Sequence, residues 1–138
     1  MKPFNLKEYL ENPSRKVVTR DGKPARIICT DANQVYSDKP GTFPVVALIM
    51  GDNNREFTFT YREDGLYEEG QRYSCDLFFA TVKKEGWVNL YMVSDVRNFP
   101  TETGYIYTTK EEALEHALGN NYIETVHIEW EEFIYETV

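Results

Sequence analysis

Cysteine is scarce in this chain of 138 residues: Cys29 and Cys75 are the only two, and they lack the paired spacing that zinc sites and redox motifs require. A reducing compartment is the simpler reading, and the cytoplasm the expected location. Long apolar runs are missing as well. No segment approaches the eighteen or so residues of a membrane span, and the opening MKPFNLKEYLENPSRK has no signal-like apolar stretch. No membrane association is expected. Histidine is limited to His116 and His127, and the eight glycines are scattered among turns without a GxGxxG or Walker pattern. Phosphate-cradling loops, and the common nucleotide enzymes with them, are therefore not indicated. Cations are the minority charge, with 15 Lys and Arg against 23 Asp and Glu. That balance disfavours phosphate-backbone binding by the surface as a whole.

Aromatic residues are plentiful: ten Tyr, eight Phe and two Trp supply large buried area per side chain, which argues for a folded core rather than disorder. Asn5, with Glu8 three positions later, opens a short helix carrying Leu6, Tyr9 and Leu10 on one side, and Pro13 ends it. Residues 16–20 and 25–30 are β-branched runs around Asp21-Gly22, which predicts a hairpin. Residues 44–50 carry no charge and predict a central strand covered on both faces. After the turn at 51–54, Phe57, Phe59 and Tyr61 alternate with polar residues, as in a half-buried strand. Asp64-Gly65 predicts another hairpin turn, with Leu66 and Tyr67 starting a short returning strand.

Residues 76–80 form an apolar anchor, and 83–86 read as a seam before a new strand over 87–93. A loop around 98–101 and a short strand over 105–108 follow. Thr109 and Glu112 then cap a helix with Ala113, Leu114, Ala117 and Leu118 as its apolar stripe, and Gly119 stops it. The last strand, 122–131, places Val126, Ile128 and Trp130 on one face and Thr125, His127, Glu129 and Glu131 on the other. The expected fold is α+β, strand-rich, with mainly antiparallel sheet and two short helices. One domain over 1–138 is expected, divisible into a hairpin-rich part, 1–82, and a β-β-α-β part, 83–138.

No nucleophile, base and orienting acid can be aligned from these residues, so no catalytic site and no enzyme is expected. The row His127, Glu129, Glu131 is the one constellation with three acid/base or metal-capable groups on one strand face. Its spacing of two puts neighbours about 7 Å apart, too far for shared coordination without ligands from elsewhere. A solvated charged face is the simpler account, and neither metal nor cofactor is expected. Cys29, inside an apolar run, reads as an inert buried thiol.

Charge is distributed unevenly. Residues 1–30 hold seven Lys and Arg against three Asp and Glu, and 109–138 hold one Lys against eight Glu. Lys16, Arg20, Lys23 and Arg26 could form a local basic face for nucleic acid, although an ordinary solvated hairpin is the simpler account. Tyr105 and Tyr107 fall in the acidic final third and, with His127, Glu129 and Glu131, make a candidate surface for a basic protein partner or a mimic of nucleic-acid charge. Tyrosine is also simply a good strand former.

The strings VVTRDGKPARIICTD, FPVVALI, YREDGLY and DLFFA, over about residues 17–80, resemble a module of small uncharacterised proteins of Bacteroides-group gut bacteria and their phages and mobile elements. KKEGWVNLY, YTTKEEALEHA and IETVHIEWEE, over about 83–132, resemble the companion segment of the same proteins. That resemblance implies a cytoplasmic accessory protein and carries over no activity or site residue. The leading functional expectation is thus a non-enzymatic interaction protein with a protein partner. The alternatives are a nucleic-acid-associated protein using the basic hairpin and an enzyme with a carboxylate site drawn from distant residues.

Overall fold

Alternation of apolar side chains every second residue, interrupted by glycines able to take positive φ, builds the larger part of the molecule from hairpins. The computed structural model describes residues 1–92, 100–102, 105–119 and 121–136. The chain divides into two compact units, one of residues 1–82 with 133–138 and one of residues 83–132.

In unit 1 the elements are β1 (Lys2–Pro3), α1 (Leu6–Glu11), β2 (Val17–Thr19), β3 (Pro24–Cys29), β4 (Val35–Tyr36), β5 (Lys39–Thr42), β6 (Val45–Met50), β7 (Glu56–Tyr61) and β8 (Leu77–Phe79). Six of the strands form one antiparallel sheet in the order β1-β8-β2-β3-β6-β7. The expected hairpin at Asp21-Gly22 joins β2 to β3, with Gly22 at φ +86°. Asn5 accepts from the Glu8 N–H and starts α1 as its spacing suggests. The apolar run of β6 is central, between β3 and β7, but its two faces differ. Val45, Ala47 and Ile49 are buried, whereas Val46, Leu48 and Met50 are half-buried. A single well-covered face therefore replaces the two that were expected. The core comprises Phe4, Val17, Ala25, Val45, Ala47, Ile49, Tyr61, Leu77 and Phe79, with Leu6, Tyr9, Tyr67 and Phe133 packed against it.

Leu66 and Tyr67 do not start a strand. The segment 66–76 has no ladder and is held by Asp76, whose carboxylate is completely buried. Its Oδ1 accepts from the Tyr67 N–H at 2.9 Å, and its Oδ2 accepts from the Tyr73 N–H and from the Arg20 guanidinium, each at 2.9 Å. A buried carboxylate is tolerable because three donors replace its water shell. A second anchor secures the β4–β5 hairpin, where the Lys39 ammonium lies 3.4 Å from the centroid of the Tyr67 ring and within 6.0 Å of Tyr36 and Phe43. Cys29 is half-exposed rather than buried. Its Sγ lies just past the register shift between Ile27 and Cys29 and donates to the Asp31 carboxylate at 3.3 Å.

Unit 2 is built on β9 (Thr81–Met92), β10 (Pro100–Glu102), α2 (Lys110–Glu115) and β11 (Tyr122–Phe133), with sheet order β10-β9-β11. The expected seam at 83–86 contains no turn: β9 runs through it, as β11 runs through 132 and 133, so the chain passes between the units within two strands. Residues 105–108 are not a strand, since Tyr107 makes a single bridge to Trp87. The loop expected at 98–101 begins outside the described residues, and its last two positions belong to β10, which pairs antiparallel with β9. Thr109 caps α2 as expected, accepting from the Glu112 N–H at 3.1 Å. The helix nevertheless stops at Glu115. Of the expected apolar stripe only Ala113 is buried, and Leu118 stands 73% exposed. No helix among the described residues is long and apolar enough to cross a membrane.

Candidate functional site

In β11 polar and apolar positions alternate from Thr125 to Glu131, which gives the strand and its neighbour β9 a polar face in common. On that face a hydrogen-bond chain sets the relation of strand to strand and strand to helix. Thr125 donates through Oγ1 to the Asn89 amide oxygen at 2.6 Å, and the Tyr122 hydroxyl lies 2.6 Å from the same Oγ1. Asn89 is fully buried and donates through Nδ2 to the Ala113 carbonyl at 2.8 Å, which ties α2 to β9. Because the Thr125 proton is used on Asn89, Tyr122 is the donor of the remaining bond.

Two residues further along this face, the His127 ring packs on Trp87 with centroids 4.7 Å apart. The His127 Nε2 lies 3.2 Å from the Glu85 carboxylate. Glu129 follows on β11, and one ligand atom each from Glu85, His127 and Glu129 falls within 4.8 Å of the others. All three side chains are exposed.

Two of the five residues expected on an interaction surface, His127 and Glu129, are thus brought together. Glu131 continues the same strand and is half-buried. Tyr107 stands one ring away: its backbone exchanges two 2.8 Å hydrogen bonds with Trp87, and its ring stacks on His116 at 5.1 Å. Tyr105 is 69% exposed and is not drawn into this group. Glu85 is the residue that reading the sequence strand by strand missed. An acidic residue two positions before Trp87 was the available signal, but without the β9–β11 pairing nothing linked it to His127.

The basic hairpin is largely neutralised by neighbouring carboxylates. Arg20 pairs with Asp76 at 2.9 Å, Lys23 with Asp21 at 3.8 Å and Arg26 with Glu56 at 2.7 Å. Lys16 is fixed through its backbone, whose N–H donates to Ile134 and whose carbonyl accepts from Ala80. Three of the four cations therefore face acids within their own unit, which lowers their capacity for phosphate. A groove of about 610 Å³ beside α1 is lined by Leu6, Leu10, Lys7, Arg62, Glu63 and Asp64 among others. Both signs of charge meet there, so it presents no electrostatic preference for an anion or a cation.

No protein-family model matches the chain, and no curated protein and no solved structure matches it.

Proposed function

We propose that the protein is a non-enzymatic interaction protein whose residues 83–132 bind a basic protein partner. The observation that carries this reading is the charge of unit 2. Unit 2, residues 83–132, holds four Lys and Arg against ten Asp and Glu, while the other 88 residues hold eleven against thirteen. Among its described side chains Val88, Asn89 and Ala113 are buried, whereas Tyr105, Ile106, Leu114, Leu118 and Ile123 are exposed. Apolar side chains set among carboxylates suit a partner presenting Lys and Arg, whose aliphatic stems cover apolar surface while their charged ends meet Glu. The resemblance to modules of phages and mobile elements is in keeping with a cytoplasmic accessory role.

Quantitative affinity capture with the intact chain tests this reading against a Glu115→Lys, Glu124→Lys variant, at low and high salt. Support is a basic protein retained by the unaltered chain at low salt, depleted about tenfold or more by the charge reversal and by salt. An identical set of captured proteins with both chains, or none with either, overturns the proposal.

A further inference from the structure

We propose that Glu85, His127 and Glu129 bind a single divalent transition-metal ion of the zinc class on the exposed face shared by β9 and β11. This does not depend on the partner-binding reading. Neighbours on a single strand face stand about 7 Å apart, which is why β11 by itself cannot chelate. A residue from the paired strand closes the triangle, and Glu85 occupies that place, with its carboxylate 3.2 Å from the His127 Nε2.

Metal bonds from imidazole nitrogen and carboxylate oxygen are about 2.0–2.2 Å long, so two ligand atoms on one tetrahedral ion lie about 3.4 Å apart. The separations here extend to 4.8 Å. Both glutamates are exposed, and binding requires their side chains to rotate toward the ion by that difference.

Charge gives the second argument. The His127 Nε2 meets the Glu85 carboxylate at 3.2 Å, and a Glu129 carboxylate oxygen lies within 4.8 Å of the ligand atoms of both, which sets two anions beside one imidazole. A dication neutralises both carboxylates and takes an imidazole nitrogen lone pair.

The donor set decides the class of ion. Calcium and magnesium take oxygen ligands, while imidazole with carboxylate suits zinc and its first-row neighbours. Rigidity favours the site too: its ligands stand on paired strands, and the Trp87 ring restrains the imidazole. Three protein ligands leave one position open. Glu85 and Glu129 also line a depression of about 470 Å³ with Lys83, Lys84, Trp130 and Glu131, from which water can fill that position.

Calorimetric titration of the metal-stripped intact chain with Zn²⁺, together with Co²⁺ absorption and Trp87 indole resonances, tests the assignment. One ion per chain is expected, with Co²⁺ broadening the Trp87 signal and neither Ca²⁺ nor Mg²⁺ competing. His127→Ala and Glu129→Gln should each weaken binding at least about tenfold, and His116→Ala, which removes the other imidazole, should not. Unchanged circular dichroism in each variant guards against misfolding, and Glu85→Gln provides a third ligand test. Absence of binding, or binding that the His127→Ala and Glu129→Gln chains retain, overturns the site and leaves a plain Glu85–His127 hydrogen bond.

Discussion

Tyr61 shows how one residue couples packing to pH. Its ring is fully buried, and its hydroxyl donates to the Cys75 carbonyl at 2.7 Å. Burial, reinforced by Cys75 and Asp76, holds the phenol well above its ordinary range, and burial beside Asp76 raises the Cys75 thiol as well. Both groups are thus kept neutral by the fold. Below about pH 7.5 they are protonated in folded and unfolded chains alike and contribute no pH dependence. Above about pH 10 the unfolded chain loses the phenolic proton while the folded chain keeps it, so Tyr61 removes up to about 1.4 kcal/mol of stability per pH unit. Urea denaturation from neutral to strongly alkaline pH checks this against Tyr61→Phe. The variant should be about 1 kcal/mol less stable near neutrality, from the lost hydrogen bond, and the gap should narrow as the pH passes 10. A gap constant with pH refutes the assignment. At this scale the sequence showed where tyrosines alternate but not which hydroxyl finds a carbonyl. Nor did it show Asp76 as the anchor of 66–76, since its three donors come from residues 20, 67 and 73.

Turns were the most legible elements, because their demands are local. Gly22 and Gly65 take the positive φ that their Asp-Gly pairs suggest, and the comparison between them separates backbone strain from packing. A Cβ at Gly22 meets nothing within 4 Å, whereas one at Gly65 would lie 2.7 Å from the Phe4 Cβ and 3.1 Å from the Leu77 carbonyl oxygen. Gly22→Ala should cost about 1–3 kcal/mol from the backbone conformation alone. Gly65→Ala should cost more, because Phe4 and Leu77 belong to the core, and equal losses in chemical denaturation would contradict that packing. The elements that differ from expectation are those whose limits depend on partners. α2 carries a helical stripe through Leu118, yet it ends at Glu115, where the His116 N–H bonds to Ala113 and the ring Nδ1 lies 2.9 Å from the Glu112 carbonyl. Residues 105–108 have strand propensity but only one bridge to satisfy it.

For the molecule as a whole, the division into units does not follow a single cut in the chain. Residues 133–138 return to unit 1, where Phe133 packs edge-on against Phe79 and the Ile134 and Glu136 N–H groups donate to Ala80 and Ser14. Joining Val82 to Phe133 through a short Asn-Gly turn should therefore give a unit 1 that unfolds cooperatively. Residues 1–82 alone should be markedly less stable, having lost the Phe133 cover and those backbone bonds. Thermal unfolding followed by circular dichroism distinguishes the cases, and equal midpoints would deny the terminal segment its structural part.

From its residues alone this chain determined its class: alternation, Asp-Gly turns and helix caps act over a few positions, so strands, hairpins and helix starts are written locally. The concentration of acid toward the C-terminal end is likewise a property of the sequence. Tertiary structure decided the rest. Glu85 and His127 are 42 residues apart, Arg20 and Asp76 are 56 apart, and only strand pairing and burial bring such groups within bonding distance. Spacing along a strand tells which side chains share a face, whereas the partner strand decides which charges meet.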